Sequence, residues 1–156
     1  MNINNFKNKF NMKYSYKRID DMKNAKFIYS VHSTKSARHF SINKKIFSFD
    51  DHINWMKKII KYKKEEVYLI KKNNRAIGVL RSKKLRYHWY LSWAIKFNFR
   101  GRGYGKEMLK QFIKKNYSKK FIAKINNKNI FSIRMAKYSG LKKIKSFKNF
   151  STFSSY

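Results

Sequence analysis

Three of the chain's five glycines sit in one short run, Arg100-Gly101-Arg102-Gly103-Tyr104-Gly105-Lys106. Glycine lets a backbone take left-handed turns that other residues resist, so such clustering has a local cause. Successive amides in a glycine-rich turn converge on one anion, and a helix starting behind them adds its positive end. The run is therefore read as a diphosphate cradle. Spacing excludes two common phosphate loops. A Gly-x-x-x-x-Gly-Lys-Ser/Thr loop fails because Glu107 follows Gly105-Lys106 and Arg100 stands where the first glycine belongs. A Gly-x-Gly-x-x-Gly fingerprint fails because its third glycine falls on Lys106 or Met108.

A cradle of this kind needs a strand to deliver it and a helix to carry it away. Tyr87 to Ile95 is dense in aromatics and reads as that strand; the helix behind the loop buries Met108, Leu109, Phe112 and Ile113. Upstream, Tyr14 to Ile19 is a first strand and Asp20 to Tyr29 a first helix opened by acidic residues. Ser33 to Asn43 reads as a loop or irregular helix. Ser48-Phe49-Asp50-Asp51 has the form of a cap, opening a helix with Ile53, Met56, Ile59 and Ile60 on one face. Glu66 to Lys71 and Arg75 to Arg81 form a hairpin across Lys72-Asn73-Asn74, since Asn tolerates left-handed turns. Downstream come a strand from Phe121 to Ile125, a helix from Asn129 to Ser139 ended by Gly140, and one or two closing strands between Leu141 and Phe153.

The chain's 156 residues make one domain, with residues 1–11 a flexible basic terminus. With no cysteine, disulfides and thiolate chemistry are excluded. The amino-terminal stretch is too polar for a signal peptide and no apolar run reaches membrane-span length, so a cytoplasmic protein is expected. Net charge is +33, from 40 Lys and Arg against 7 Asp and Glu. Such a field attracts polyanions, and nonspecific nucleic-acid binding is expected as a side effect. A dedicated nucleic-acid binder concentrates its charge in a stripe or tail. Here lysines run through every segment alongside Asn, Ile, Phe and Tyr, which favours compositional drift over function.

Arg-x-x-Gly-x-Gly between a strand and a helix resembles the acetyl-CoA signature of the GNAT superfamily of N-acyltransferases. Downstream, Asn129-Ile130-Phe131-Ser132 with Gly140 eleven residues after Asn129 is similar to that family's second cofactor motif. The element order agrees over roughly residues 12 to 145. The resemblance implies an α/β fold: a mixed, mostly antiparallel sheet of six or seven strands, about four helices on both faces, and a splayed V-shaped cofactor cleft. It implies acetyl-CoA as co-substrate, direct attack by an amine in a ternary complex, and no metal. The pantetheine arm would lie beside Trp93, Ala94 and Ile95, with a backbone N–H near Ile95 facing the thioester oxygen. The amides from Gly101 through Arg102, Gly103, Tyr104 and Gly105 to Lys106 would take the pyrophosphate, braced by Arg100. Asn129 and Ser132 would contact the arm or the adenosine; Ser132 equally well bonds back to its own helix.

Catalytic groups are less defined. Many members protonate the departing thiolate with a Tyr four residues before the helix-ending Gly, and that position is Ala136. Tyr138 lies two residues on, about half a turn away; the alternative donor is water. Some relatives carry a base midway along the strand before the loop. The corresponding stretch is His88-Trp89-Tyr90, where His88 has a suitable ordinary pKa, although a lone strand histidine is more often structural.

Seven carboxylates in all disfavour a cationic acceptor and suit an anionic one. The segments Ala37 to Ser41, Phe47 to Trp55 and Ile77 to Arg81 resemble those of bacterial amino-sugar N-acetyltransferases, including enzymes acting on a UDP-linked 4-amino sugar in pseudaminic-acid synthesis. On that resemblance Trp55 stacks on a sugar or base, Arg38 and Arg81 fork onto phosphate, and His52 bonds a hydroxyl. The family's Arg-Asn pair is replaced by His32-Ser33. For Trp55 the alternative is core packing, and for Arg81 a solvated strand end. The competing functions are a ribosomal-protein or N-terminal amine acetyltransferase and, from another class, a basic nucleic-acid-binding protein on a degenerate GNAT scaffold.

Overall fold

The structure, a computed structural model, describes residues 14–156; the expectation for residues 1–11 lies outside the described residues. Among the described residues seven strands form one sheet. In chain order they are β1 (Tyr14–Arg18), β2 (Glu65–Lys72), β3 (Arg75–Lys84), β4 (Trp89–Ile95), β5 (Phe121–Asn126), β6 (Lys142–Ser146) and β7 (Phe150–Ser154). The helices are α1 (Ala25–His32), α2 (Lys35–Phe40), α3 (Phe49–Tyr62), α4 (Tyr104–Lys115) and α5 (Ile130–Tyr138), with a 3₁₀ turn at Phe97–Phe99. Strand order is β1-β2-β3-β4-β5-β7-β6. Every neighbouring pair is antiparallel except β4 and β5, which run parallel.

Strand alternation divides the core between the two faces. Leu80, Leu91 and Ile95 pack with Met108, Leu109 and Phe112 of α4 and Ala136 of α5. On the other face Val67, Leu69 and Val79 meet Ala25, Ile28 and Val31 of α1 and Met56 of α3. The cap at Ser48 forms as read: its side chain accepts the Asp51 amide at 3.0 Å, and the Ser48 amide donates back to Asp51 at 3.0 Å. Asn73 and Asn74 take left-handed turns at φ 48 and 63, and Gly140 ends α5 at φ 91. Strand β6 is exposed throughout, and its lysines guard the sheet edge against a further strand.

The sequence reading needs correction in several places. The first helix begins at Ala25, not Asp20, because Asp21 accepts the Lys23 amide in a turn instead of opening a helix. Of the two readings of the polar stretch after α1, loop or irregular helix, the helix is the one present: the six-residue α2, capped by Thr34, is one of five helices among the described residues. Strand β4 starts at Trp89. His88 therefore lies in the preceding turn, where its carbonyl accepts the Leu85 amide. Among the described residues no helix is long and apolar enough to cross a membrane.

Candidate active site

Strands β4 and β5 pair at only two positions, Trp89 with Phe121 and Tyr90 with Ile122. Beyond them the strands part, and a wedge opens in the middle of the sheet. The Lys96 amide donates to Ile77 of β3, so by antiparallel alternation the amides of Leu91, Trp93 and Ile95 point away from β3, into the wedge. Gly78 makes this arrangement compact: a Cβ there would stand 2.5 Å from the Ala94 carbonyl oxygen.

At the open end of β4 the chain makes its 3₁₀ turn and enters the glycine run. Gly101 and Gly103 both sit at φ 74, and Gly103 is the N-cap of α4 without any side-chain cap. A Cβ would meet nothing at Gly101 and only the Lys106 side chain, at 3.6 Å, at Gly103. What these glycines supply is left-handed backbone, not room. The amides from Gly101 to Lys106 find no acceptor among the described residues; the Glu107 amide reaches Gly103 at 3.5 Å. Unsatisfied donors at a helix start, reinforced by the helix dipole, favour a bound anion. Gly105 serves a different purpose, bringing α4 against Met135 of α5.

Two side chains hold the loop. Arg100 donates through Nε to the Ile95 carbonyl at 2.9 Å and through a terminal nitrogen to Ser36 Oγ at 3.0 Å. The Lys72 ammonium lies 3.7 Å from the centre of the Tyr104 ring. Hydrogen bonds from Lys72 and Arg102 lower the Tyr104 pKa. Beside the loop, Phe27, Arg75, Lys96, Phe99 and Arg102 wall a cavity of about 400 Å³ that contains no carboxylate.

The remaining expected residues separate into groups. Trp93 is half-buried, with an indole nitrogen that has no partner. Asn129 caps α5 by accepting the Ser132 amide at 3.1 Å. Arg81 makes a two-pronged bond to Glu65, at 2.9 and 3.1 Å, and lies 4.8 Å over the Trp55 ring. Both therefore face the α1 side of β3. Arg38 is engaged by main chain, holding the carbonyls of His32 at 2.9 Å and Asn43 at 3.1 Å, so it braces the segment after α2. The His52 ring is buried against the Ala25 carbonyl at 3.0 Å, and that burial lowers its pKa. His32 comes close to Arg81 and Arg38; its Nε2 has no partner, and burial, then the two guanidiniums, bring its pKa down to about 3.

Neither expected catalytic side chain lies in the wedge. Tyr138 hydrogen-bonds Glu107 on the exposed side of α4 and α5. His88 lies at the closed end of the wedge, seven residues from Ile95 or about 23 Å along an extended strand. Sequence reasoning missed Ser36 and Glu65, which no motif marks because their partners are far away in the chain.

An open sheet parted at its centre, with a glycine-turned helix start at the mouth, has the geometry of a main-chain site for an anionic ligand. The chain belongs to the GNAT acetyltransferase family, whose model matches residues 35–141. A comparison with curated proteins found no match. Solved structures show the same fold at low identity. Campylobacter jejuni N-acetyltransferase PseH, in complex with acetyl coenzyme A, has a TM-score of 0.70 at 15% identity, covering 91% of this chain and 97% of its own. The ribosomal L7/L12 alpha-N-protein acetyltransferase RimL, in complex with coenzyme A, has a TM-score of 0.75 at 13% identity, covering 90% of this chain and 92% of its own. Vibrio cholerae spermidine N-acetyltransferase, in complex with CoA and spermine, scores 0.77 at 11%, covering 90% and 92%.

Proposed function

We propose that the protein transfers acetyl from acetyl-CoA to the amine of a nucleotide-linked amino sugar, by direct attack within a ternary complex. The observation that carries the acetyl-CoA half is the set of unpartnered amides from Gly101 to Lys106 at the mouth of the wedge. They would hold the pyrophosphate while Arg100 keeps the loop closed on Ile95. The pantetheine arm would run beside Trp93, Ala94 and Ile95, and an amide of β4 facing the wedge would meet the charge that develops on the thioester oxygen. Ser132 and Asn129 lie at the start of α5, on the side where the adenosine would extend. Much of the rate would come from holding amine and thioester together.

The acceptor half rests on charge. Glu65, Glu66, Glu107 and Asp51 are all engaged within the fold, by Arg81, by Arg18 and Lys119, by Tyr138 and by Ser48. Few carboxylates are left to hold a polyamine or a basic peptide. The basic cavity at Arg75, Lys96 and Arg102 suits a phosphate-bearing ligand. Likeness to the N-acetyltransferase PseH does not by itself choose the acceptor, and comparable likeness to enzymes for ribosomal protein and spermidine makes the test an acceptor panel. A cytoplasmic setting, with acetyl-CoA and sugar nucleotides at hand, completes the reading.

The experiment has two parts. Acetyl-CoA should raise the melting temperature in a dose-dependent manner. Thiol release from acetyl-CoA should then be accelerated by a UDP-linked 4-amino sugar and not by spermidine or a ribosomal amino-terminal peptide. Absence of the melting shift overturns the cofactor assignment; the reverse acceptor preference overturns the sugar assignment alone.

A further inference from the structure

We propose that the cavity beside the glycine loop is a nucleoside-diphosphate site that holds the nucleotide end of the acceptor, an inference that rests on the sugar-nucleotide reading above. The two guanidiniums expected from the sequence to fork onto the acceptor's phosphates are already engaged. Arg38 holds the carbonyls of His32 and Asn43, and Arg81 is bound to Glu65. The phosphates need other partners.

Arg75 from the start of β3, Lys96 from the end of β4 and Arg102 from the glycine loop converge on a cavity of about 400 Å³ whose lining contains no carboxylate. Small-molecule sites occupy roughly 300–1,000 Å³, so the volume is sufficient. Among the described residues none of the three cations belongs to an ion pair. Two of them sit on rings instead. The Arg75 guanidinium carbon lies 5.0 Å from the centre of Phe99, and the Lys96 ammonium 5.0 Å from that of Phe27. A ring beneath a cation fixes it without neutralising it. Three like charges around one hollow repel each other, and an entering polyanion relieves that repulsion. Lysine is common along the whole chain, so charge alone marks no site; the hollow and its two phenyl rings set this one apart. A ring face next to a cation receives a nucleobase together with the phosphate attached to it.

Placement on the sheet agrees with this role. Ala94 packs against the α1 layer, and Lys96, two residues on, reaches Phe27 of α1 on the same face. The two positions are about 7 Å apart along the strand. With the thioester beside Ala94 and Ile95, one hexose ring spans the interval from the diphosphate to the reacting amine. On the same reading the cofactor's own adenosine extends the other way, across the wedge to the start of α5. Strands β3 and β5 flank β4 on opposite sides, so the two nucleotides occupy different places.

The probes are UDP and inorganic pyrophosphate, titrated into the native full-length chain with and without saturating acetyl-CoA. Salt at about 150 mM screens general attraction to the basic surface. UDP should bind once per chain, and saturating acetyl-CoA should leave its affinity within about twofold. Pyrophosphate, which has no base to stack, should bind roughly fivefold or more weakly. Arg75→Gln with Lys96→Gln should weaken UDP roughly tenfold or more by loss of charged hydrogen bonds, with the acetyl-CoA melting shift retained. Phe27→Leu should weaken UDP and leave pyrophosphate unchanged. Displacement of UDP by acetyl-CoA overturns the proposal and assigns the cavity to the cofactor's nucleotide. UDP binding left intact by the double substitution overturns it too, because the ligand then sits elsewhere on the surface. Turnover separates the cavity from the reading it rests on. KM for a UDP-linked 4-amino sugar should rise roughly tenfold or more in the double variant. A sugar nucleotide turned over with unmoved KM overturns the cavity assignment alone. A native chain that acetylates spermidine or a ribosomal peptide and not the sugar nucleotide overturns the sugar-nucleotide reading, and the cavity's acceptor role with it.

Discussion

Arg100 joins two parts of the chain that lie 64 positions apart: one guanidinium nitrogen meets Ser36 Oγ at 3.0 Å while Nε holds the Ile95 carbonyl at 2.9 Å. The start of α2 is thereby tied to the loop that leads into α4. On the proposed function, the segment over the acceptor and the loop on the cofactor would share one side chain.

Removing the shared contact should affect the cofactor. Ser36→Ala should weaken acetyl-CoA binding by roughly two- to tenfold, the equivalent of about 0.5–1.5 kcal/mol for one hydrogen bond. Arg100→Ala should weaken it further, because the Ile95 carbonyl is also released. In an Arg100→Ala background, Ser36→Ala should add nothing. Isothermal titration of the four chains measures this cycle, and additive losses would show that the contact does not transmit.

Gly103 opens α4 at φ 74, with its amide among those that find no acceptor. Gly103→Glu places a Cβ in a left-handed turn, which costs about 1–2 kcal/mol, and a carboxylate beside the anion position. The acetyl-CoA melting shift should disappear. Gly103→Ala should keep part of it, since a Cβ meets only the Lys106 side chain.

Gly78 is needed for close approach instead of turning. An added Cβ would press on the Ala94 carbonyl oxygen, which is backbone and cannot rotate away. Gly78→Ala should lower unfolding free energy by about 1–3 kcal/mol, as overpacking does elsewhere. Chemical denaturation gives the number, and an unchanged midpoint would show that β3 and β4 can move apart freely.

Tyr138 makes its hydrogen bond with Glu107, with Lys106 and Lys110 lying 4.9 Å from its ring centre. Tyr138→Phe should leave kcat within twofold of native. A tenfold fall would give Tyr138 the proton-donor role.

Acid should destabilise the fold through His32. Its pKa is brought down to about 3 by burial, then by Arg81, Arg38 and His52, against an ordinary 6.5. Below about pH 6.5 the unfolded chain binds a proton there that the folded chain refuses, so stability falls as pH drops from 6.5 towards 3. His32→Gln should flatten this part of the pH–stability curve. An equal slope in native and variant chains would assign the acid sensitivity to other groups.

Much of the frame was legible in the chain because it is written locally. The Ser48 and Asp51 cap, the Asn73-Asn74 turn and the Gly140 stop depend on residues within a few positions, and each forms as read. At the first helix two local signals compete: Asp20 and Asp21 suit a helix start, but Asp21 satisfies a turn amide first. The continuous aromatic run carries the strand pattern back over His88, whereas the pairing of Trp89 with Lys84 sets where β4 begins.

By itself the amino-acid order determined the glycine loop, the strand before it and the helix behind it, since backbone conformation and apolar spacing are short-range properties. Only the tertiary structure decided which side chains are free. It engaged Arg38 with carbonyls, buried His52 and paired Arg81 with Glu65. Those outcomes depend on contacts between residues far apart in the chain, where the burial of one group and the charge of another settle which polar atoms find a partner.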